Sequence, residues 1–312
     1  MQFQSINSED LCSFLTKMGV AHTVVGDHRD FIGPAPIGKS EKINLTWSRE
    51  VSADVISVSA SVLILPEAKA KDAVVQSDKV LILVDNPRDT FRMILAGLYD
   101  DEIAFSKGLH DETMFAQTSE NTWIAHSASV SKEAVLGADV IIHPNVTVYP
   151  GVSIGDNVEI CSGCVIGAPG FGHVRQPNGA LKPFPHLGGV VIGNDVSIGS
   201  NTCVDSGGLS PTMIGNGVRI GNLTQIAHNV EIDEDCLIGT RCQVAGGTKI
   251  GSGTEIWAGS TISNNRRIGR NCNIKIGSIV ISHLADNTVV SGNFAISHQR
   301  NLEIYAGLRD SK

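Results

Sequence analysis

Between residues 124 and 280 an aliphatic side chain returns at every sixth position, with small or polar residues between. The series runs Ile124, Val130, Leu136, Ile142, Val148, Ile154, Ile160, Ile166, resumes at Ile192, Ile198 and Val204, and continues from Ile214 to Val280 without losing phase. That makes twenty-three hexads in three runs. Such a unit suits one short strand and a turn, the aliphatic side chain filling the interior. The next residue is often glycine, as at Gly137, Gly155, Gly199 and Gly239, which reads as a residue that frees the corner backbone. Three units close a triangular coil, and coils stacked about 4.8 Å apart give a parallel β-helix of seven to eight turns, roughly 35 Å long.

Two breaks interrupt this repeat. Ile166 to Ile192 is a hexad plus 20 residues, and Val204 to Ile214 is a hexad plus 4. They follow hexads 8 and 11, which leave the same remainder on division by three, so both insertions emerge from one edge of the prism. His228, two places after Ile226 in hexad 14, falls on that same edge, and Gly246 lies 18 residues later, one coil above.

Before residue 124 the six-residue period disappears. Residues 7 to 18 predict a helix, with Ser8 as a cap before Leu11, Phe14, Leu15 and Met18. Segments 53 to 65 and 80 to 84 predict strands, and Asn86-Pro87 opens a helix to about residue 99. The expected organisation is an α/β domain over 1–106, a linker over 107–122, the β-helix over 123–290 and a helical cap over 291–312, with a helix from Ser297 to Leu308.

Composition narrows the functions. The net charge of −8, with no long basic run, argues against nucleic acid or an anionic membrane as partner. No apolar run reaches membrane-spanning length, and the first twenty residues lack a basic start, so a cytoplasmic protein without a membrane span is expected. Seven cysteines without an export signal read as reduced thiols, and Cys161-x-x-Cys164 falls inside the repeat, as small side chains rather than a metal or redox pair. No metal site is expected.

The chemistry therefore centres on the insertion edge. A neutral imidazole at His228 suits removal of a proton from an amine or hydroxyl, and the amide of Gly246 suits a developing oxyanion, the pair that acyl transfer needs. Phe171, His173, Arg175, Lys182, Phe184 and His186 in the long insertion offer cover for an activated sugar or acyl carrier, or a surface for a neighbouring subunit. Arg266, which stands where other hexads carry small residues, and Arg270 offer contacts to a donor phosphate, or form a solvated cap. Asp205 and Glu231 are the carboxylates nearest in sequence for orienting His228.

The runs IGAPGFG and VVIGNDVSIGSNTCVDSGGLSPTMIGNGVRIGNLTQIAHNVEI, with the NPRDTFRMI segment, resemble the UDP-3-O-acylglucosamine N-acyltransferases of lipid A biosynthesis. The resemblance implies a left-handed β-helix, a homotrimer with sites between subunits, a catalytic histidine at His228 and an oxyanion-binding amide at Gly246. It also implies an acyl carrier protein thioester as donor and the amine of a UDP-linked glucosamine as acceptor. Departures stand at Asn265, where the family has a second histidine, and at Gly221, where it has an aspartate. Others stand at Leu45, Ser48 and Val51, where it holds uracil, although Trp47 and Arg49 are close by. The prism is about two coils shorter before the first insertion, and the C-terminal helical tail is reduced.

These features point to an N-acyltransferase for a nucleotide-linked amino sugar of a surface glycan, with the lipid A enzyme itself as the alternative. A trimeric metallohydratase or a non-catalytic scaffold is the reading outside that class. Expected substrate contacts are Asp205, Asn222, Gln225, Phe171, His173 and Trp47, and expected donor contacts are Gly247, Asn265, Arg266 and Arg270. No permanently bound cofactor is expected, and acyl-CoA or acyl carrier protein serves as co-substrate, with CoA favoured by the reduced tail and Asn265.

Overall fold

A computed structural model describes residues 5–35, 44–70, 79–98, 121–292 and 297–309. From residue 123 the chain winds into a prism whose three faces are parallel sheets of nine, eight and seven strands. Each strand pairs with the one three hexads on, as in Ile142 opposite Ile160 and Ile226 opposite Val244. The register absorbs both insertions without a slip in the aliphatic row: Ile154 faces Ile192, and Val204 faces Ile226. One further coil completes the prism through Val289–Val290, which pairs with Asn273–Ile274 beyond the last hexad of the regular series.

The interior consists of the hexad aliphatics and the residues two places before them, buried except at the first coil (Thr122, Ile124, Ala128) and at Arg266. Where that second residue is Thr or Ser, its hydroxyl in most cases donates to a carbonyl of the coil above, as from Thr202 to Gly221 at 2.9 Å and Thr254 to Gly269 at 2.8 Å. Thr254 also accepts from the Cys272 N–H above it. Cysteines fill the same slot. The Cys164 thiol donates to Gly199 O at 3.0 Å and Cys272 to Ala285 O at 3.1 Å, and burial pushes the thiols of Cys164 and Cys236 up to about 11. A buried hydroxyl or thiol with a partner costs little, and its small volume fits the narrow prism.

The glycines that follow many of the aliphatics have a different reason from the expected one. At Gly155 a β-carbon would lie 2.8 Å from the backbone of Gly193, and at Gly215 2.7 Å from that of Asp233, so close stacking of coils excludes a side chain. The left-handed backbone comes two residues later, at Asn157, Asn201, Asn229, Gly247 and Asn265 among others, the residue types that tolerate positive φ.

The N-terminal unit is a four-stranded sheet in the order Thr23–Val25, Val80–Val84, Val62–Pro66, Leu45–Trp47. Alternation sorts its sides: Val62, Ile64, Val80 and Ile82 pack against Leu11, Leu15, Phe91 and Ile94 of the helices Ser8–Lys17 and Pro87–Leu98. Leu63, Leu65, Leu81 and Leu83 face the other way. Asn7, rather than Ser8, caps the first helix by accepting from Glu9 N at 2.8 Å, while buried Ser8 accepts from Arg29 N. The segment expected as strand from 53 begins instead with a helical turn, Ala53–Ile56, capped by Ser52. The C-terminal helix spans His298–Arg309. Apart from residues 121 and 122, the expected linker lies outside the described residues.

The two parts meet through the long insertion. Leu187 is buried in the helix-covered core of the N-terminal unit, with Phe184 and Leu209 packed against it. Arg88 lies over the Phe184 ring at 5.7 Å, and Gln176 donates to Asp89 at 2.9 Å. The sheet unit thereby holds the insertion down on the prism edge.

Candidate functional site

Both insertions leave the corner between the eight- and seven-stranded faces, and they hydrogen-bond to each other there, Leu187 N to Gly208 O at 2.7 Å and Gly188 N to Gly207 O at 2.9 Å. Above them opens a cleft of about 460 Å³ whose wall includes Phe171, Asp205, His228, Gln243, Gly246 and Asn264. His228 is half-buried. Its ring lies directly on Gly246, where a β-carbon would stand 2.7 Å from Nε2. Glycine is needed here because the imidazole occupies the space a side chain would take.

The histidine's orientation comes from its neighbour. Asn229 Oδ1 accepts from Gly208 N at 3.0 Å, while its Nδ2 donates to Ser210 O at 2.8 Å and Ser210 Oγ at 3.1 Å. A backbone donor on one side and a backbone acceptor on the other fix which end of the amide is oxygen. The same Oδ1 stands 3.1 Å from His228 Nδ1. Nδ1 therefore carries the proton, and Nε2 presents a lone pair on the Gly246 side of the ring. Neither expected carboxylate does this work: Glu231 pairs with Lys249 at 2.6 Å on the seven-stranded face. Asp205 lies in the cleft wall; burial raises its carboxyl, opposed by a hydrogen bond from Gln225 and by the proximity of His228.

Sequence reasoning placed His186 only in a loop, yet it is buried with its ring 5.1 Å from that of His228 in an edge-on arrangement. Burial first, and His228 second, push its imidazole down to about 4, so it is neutral near pH 7. Gly170 completes the packing: a β-carbon there would meet His228 at 2.9 Å and His186 at 3.2 Å.

The remaining expected residues divide. Gly247 and Asn265 line the cleft at left-handed positions, φ 71° and 56°. Phe171 is exposed over it, with His173 against its ring at 5.1 Å. Asn222 stands on another corner, between the nine- and eight-stranded faces, accepting from Ser200 N at 2.8 Å. Arg270 is on the third corner, paired with Asp286 at 2.8 Å. Arg266 spends its guanidinium on its own backbone, donating to Asn264 O and Ile281 O. Trp47 packs on Phe91 and Arg49 in the N-terminal unit. One step of the repeat turns the chain to a different corner, so closeness in sequence to His228 misplaced Asn222 and closeness to Arg266 misplaced Arg270.

A bacterial transferase hexapeptide model of six repeats matches residues 133–168, 211–246 and 231–264. The UDP-3-O-acylglucosamine N-acyltransferase of Coxiella burnetii is 41% identical over 203 residues, 57% of this chain and 57% of that protein. UDP-3-O-acylglucosamine N-acyltransferase 2 of Legionella pneumophila is 54% identical over 67 residues, 22% of this chain and 19% of its own. The chain thus spans little more than half the length of the first relative and a fifth of the second. In fold it matches the UDP-N-acetylglucosamine acyltransferase of Campylobacter jejuni, with a TM-score of 0.51 at 20% identity, covering 62% of this chain and 79% of that one. Among the described residues no helix is long and apolar enough to cross a membrane. The chain is a left-handed β-helix protein of hexapeptide repeats, similar over more than half its length to the UDP-3-O-acylglucosamine N-acyltransferases.

Proposed function

We propose that the protein transfers an acyl group from a thioester to the amine of a nucleotide-linked amino sugar. The observation that carries this reading is the orientation of His228: Nδ1 is committed to Asn229 and Nε2 lies against Gly246 in the cleft. Nε2 takes a proton as the neutral amine attacks the thioester carbonyl. The carbonyl π electrons move onto oxygen, and the Gly246 N–H, which has no partner among the described residues, donates to that oxyanion. Collapse breaks the C–S bond, and the imidazolium returns its proton to the departing thiolate. Asp205 and Gln225 serve the acceptor sugar, and Phe171 and His173 close over it.

The 41% identity to the Coxiella protein favours a second reading, a UDP-3-O-acylglucosamine acceptor with a carrier-protein donor. Asn265 in place of a second histidine favours the first, with a CoA donor. We also infer a homotrimer. The outward row of the eight-stranded face, Thr147, Val165, Cys203, Gln225, Gln243 and Thr261, carries no charge and suits contact with another copy.

The test is an acyl-transfer assay crossing two donors, acyl-CoA and acyl carrier protein, with UDP-3-O-acylglucosamine and other UDP-amino sugars, products identified by mass spectrometry. Amide product with another amino sugar and CoA supports the leading reading. Product confined to UDP-3-O-acylglucosamine and the carrier establishes the second. No product from any pair, with sedimentation showing a monomer, overturns both.

A further inference from the structure

The structure assigns a binding site for a zinc-class divalent cation to His143, Glu159 and Cys161, on the nine-stranded face away from the His228 corner. The ligand atoms of these three side chains all lie within 4.8 Å of one another, and among the described residues no other group of three His, Cys, Asp or Glu side chains converges in this way.

The placement follows from the solenoid. Ile142 pairs with Ile160, and His143 N donates to Ile160 O at 3.0 Å, so residue 143 lies beside residue 161 one coil up. Glu159 and Cys161 flank the inward-facing Ile160 and both turn outward. His143 Nε2 and Glu159 Oε1 already stand 2.8 Å apart. The edge of Trp123 borders the imidazole, with ring centroids 6.0 Å apart. All three donors lie on or next to laddered strands, so little backbone order must be gained on binding.

Sequence spacing hid this set, because Cys161 stood out only beside Cys164, in a pair that reads as small side chains. Cys164 points into the prism and donates its thiol proton to Gly199 O, whereas Cys161 is half-buried at the surface. Its true neighbour is a histidine eighteen residues earlier.

The donor chemistry selects the cation. Thiolate, imidazole and carboxylate are the ligands zinc takes in tetrahedral sites, and three of them leave one position for water. Magnesium and calcium prefer oxygen throughout. Without an ion, burial and the Glu159 charge hold the Cys161 thiol above its ordinary value, opposed by a hydrogen bond with Ser200. A cation between the two groups reverses that repulsion. On binding, the thiol proton goes to solvent, the His143 proton settles on Nδ1 to free Nε2, and Zn–S, Zn–N and Zn–O bonds form.

The test is titration of the metal-stripped full chain with Co²⁺ and then Zn²⁺. We expect one cobalt per chain with a thiolate-to-cobalt charge-transfer band, displaced by zinc, and a melting temperature that rises with zinc concentration. Cys161→Ser should abolish the band and the zinc-dependent shift while leaving the metal-free melting temperature unchanged. His143→Ala and Glu159→Gln should weaken zinc binding by about tenfold or more, at least the scale on which outer-shell partners matter. A wild-type chain with no band, or a band that survives Cys161→Ser and disappears with Cys12→Ser or Cys203→Ser, overturns the assignment.

Discussion

The corners of the prism share one backbone turn and use it in opposite ways. On the corner between the seven- and nine-stranded faces, four of the N–H groups two places after an aliphatic are capped by a side chain from the coil above: Ala138 by Asp156, Asp156 by Asn194, Asn194 by Asn216 and Arg270 by Asp286. On the insertion corner the equivalent N–H groups, of His228, Gly246 and Asn264, have no such cap among the described residues. The difference separates stability from chemistry. A polar ladder that closes successive donors gives a rigid edge, and an open row of donors beside an oriented imidazole gives a place where charge can develop.

After removal of His228 itself, breaking the open corner at its hinge has the largest expected effect. Asn229→Ala removes the acceptor that holds His228 Nδ1 and strands the buried Gly208 N–H. We expect kcat to fall by about 10²-fold, below the ~10⁴ of losing a buried triad carboxylate, with about 1–3 kcal/mol of stability lost. Steady-state kinetics beside a denaturant melt check both. Gly246→Ala should cost a similar or smaller factor, about 10²-fold, because the new methyl displaces the ring by around an ångström. Its melting temperature should stay near wild type.

His186 sharpens the comparison through pH. Its folded imidazole titrates near 4, below the unfolded value of 6.5, so the unfolded chain binds the proton first as pH falls. Stability is full above pH 6.5 and declines toward pH 4, by roughly 3 kcal/mol at most. His186→Gln should flatten that slope, read as melting temperature against pH. An unchanged slope would place the acid sensitivity elsewhere. The smallest effect belongs to the capped corner: Asn216→Ala frees one exposed N–H and should cost about 1 kcal/mol with kcat unchanged.

Much of this was legible in the chain. A narrow apolar interior accepts only aliphatics at a fixed period, so Ile124 to Val280 announce the prism, and counting hexads across the breaks put His228 and both insertions on one edge. Asn229 was invisible because asparagine at that turn position also serves as a left-handed residue, as at Asn157 and Asn201. His186 was hidden because its contact crosses 42 positions of chain and depends on how the N-terminal unit pins the insertion. The same counting, applied to Asn222 and Arg270, would have put them on other corners.

His228 is the proposed base of the open corner, and the kcat of His228→Ala in the acyl-transfer assay tests that role most directly. The side chain supports none of the buried core, so the variant should fold and melt like wild type. Its kcat should fall by roughly 10²- to 10⁴-fold, the range for losing a positioned proton acceptor. A folded variant that keeps most of its activity would contradict the assignment of this corner as the active site.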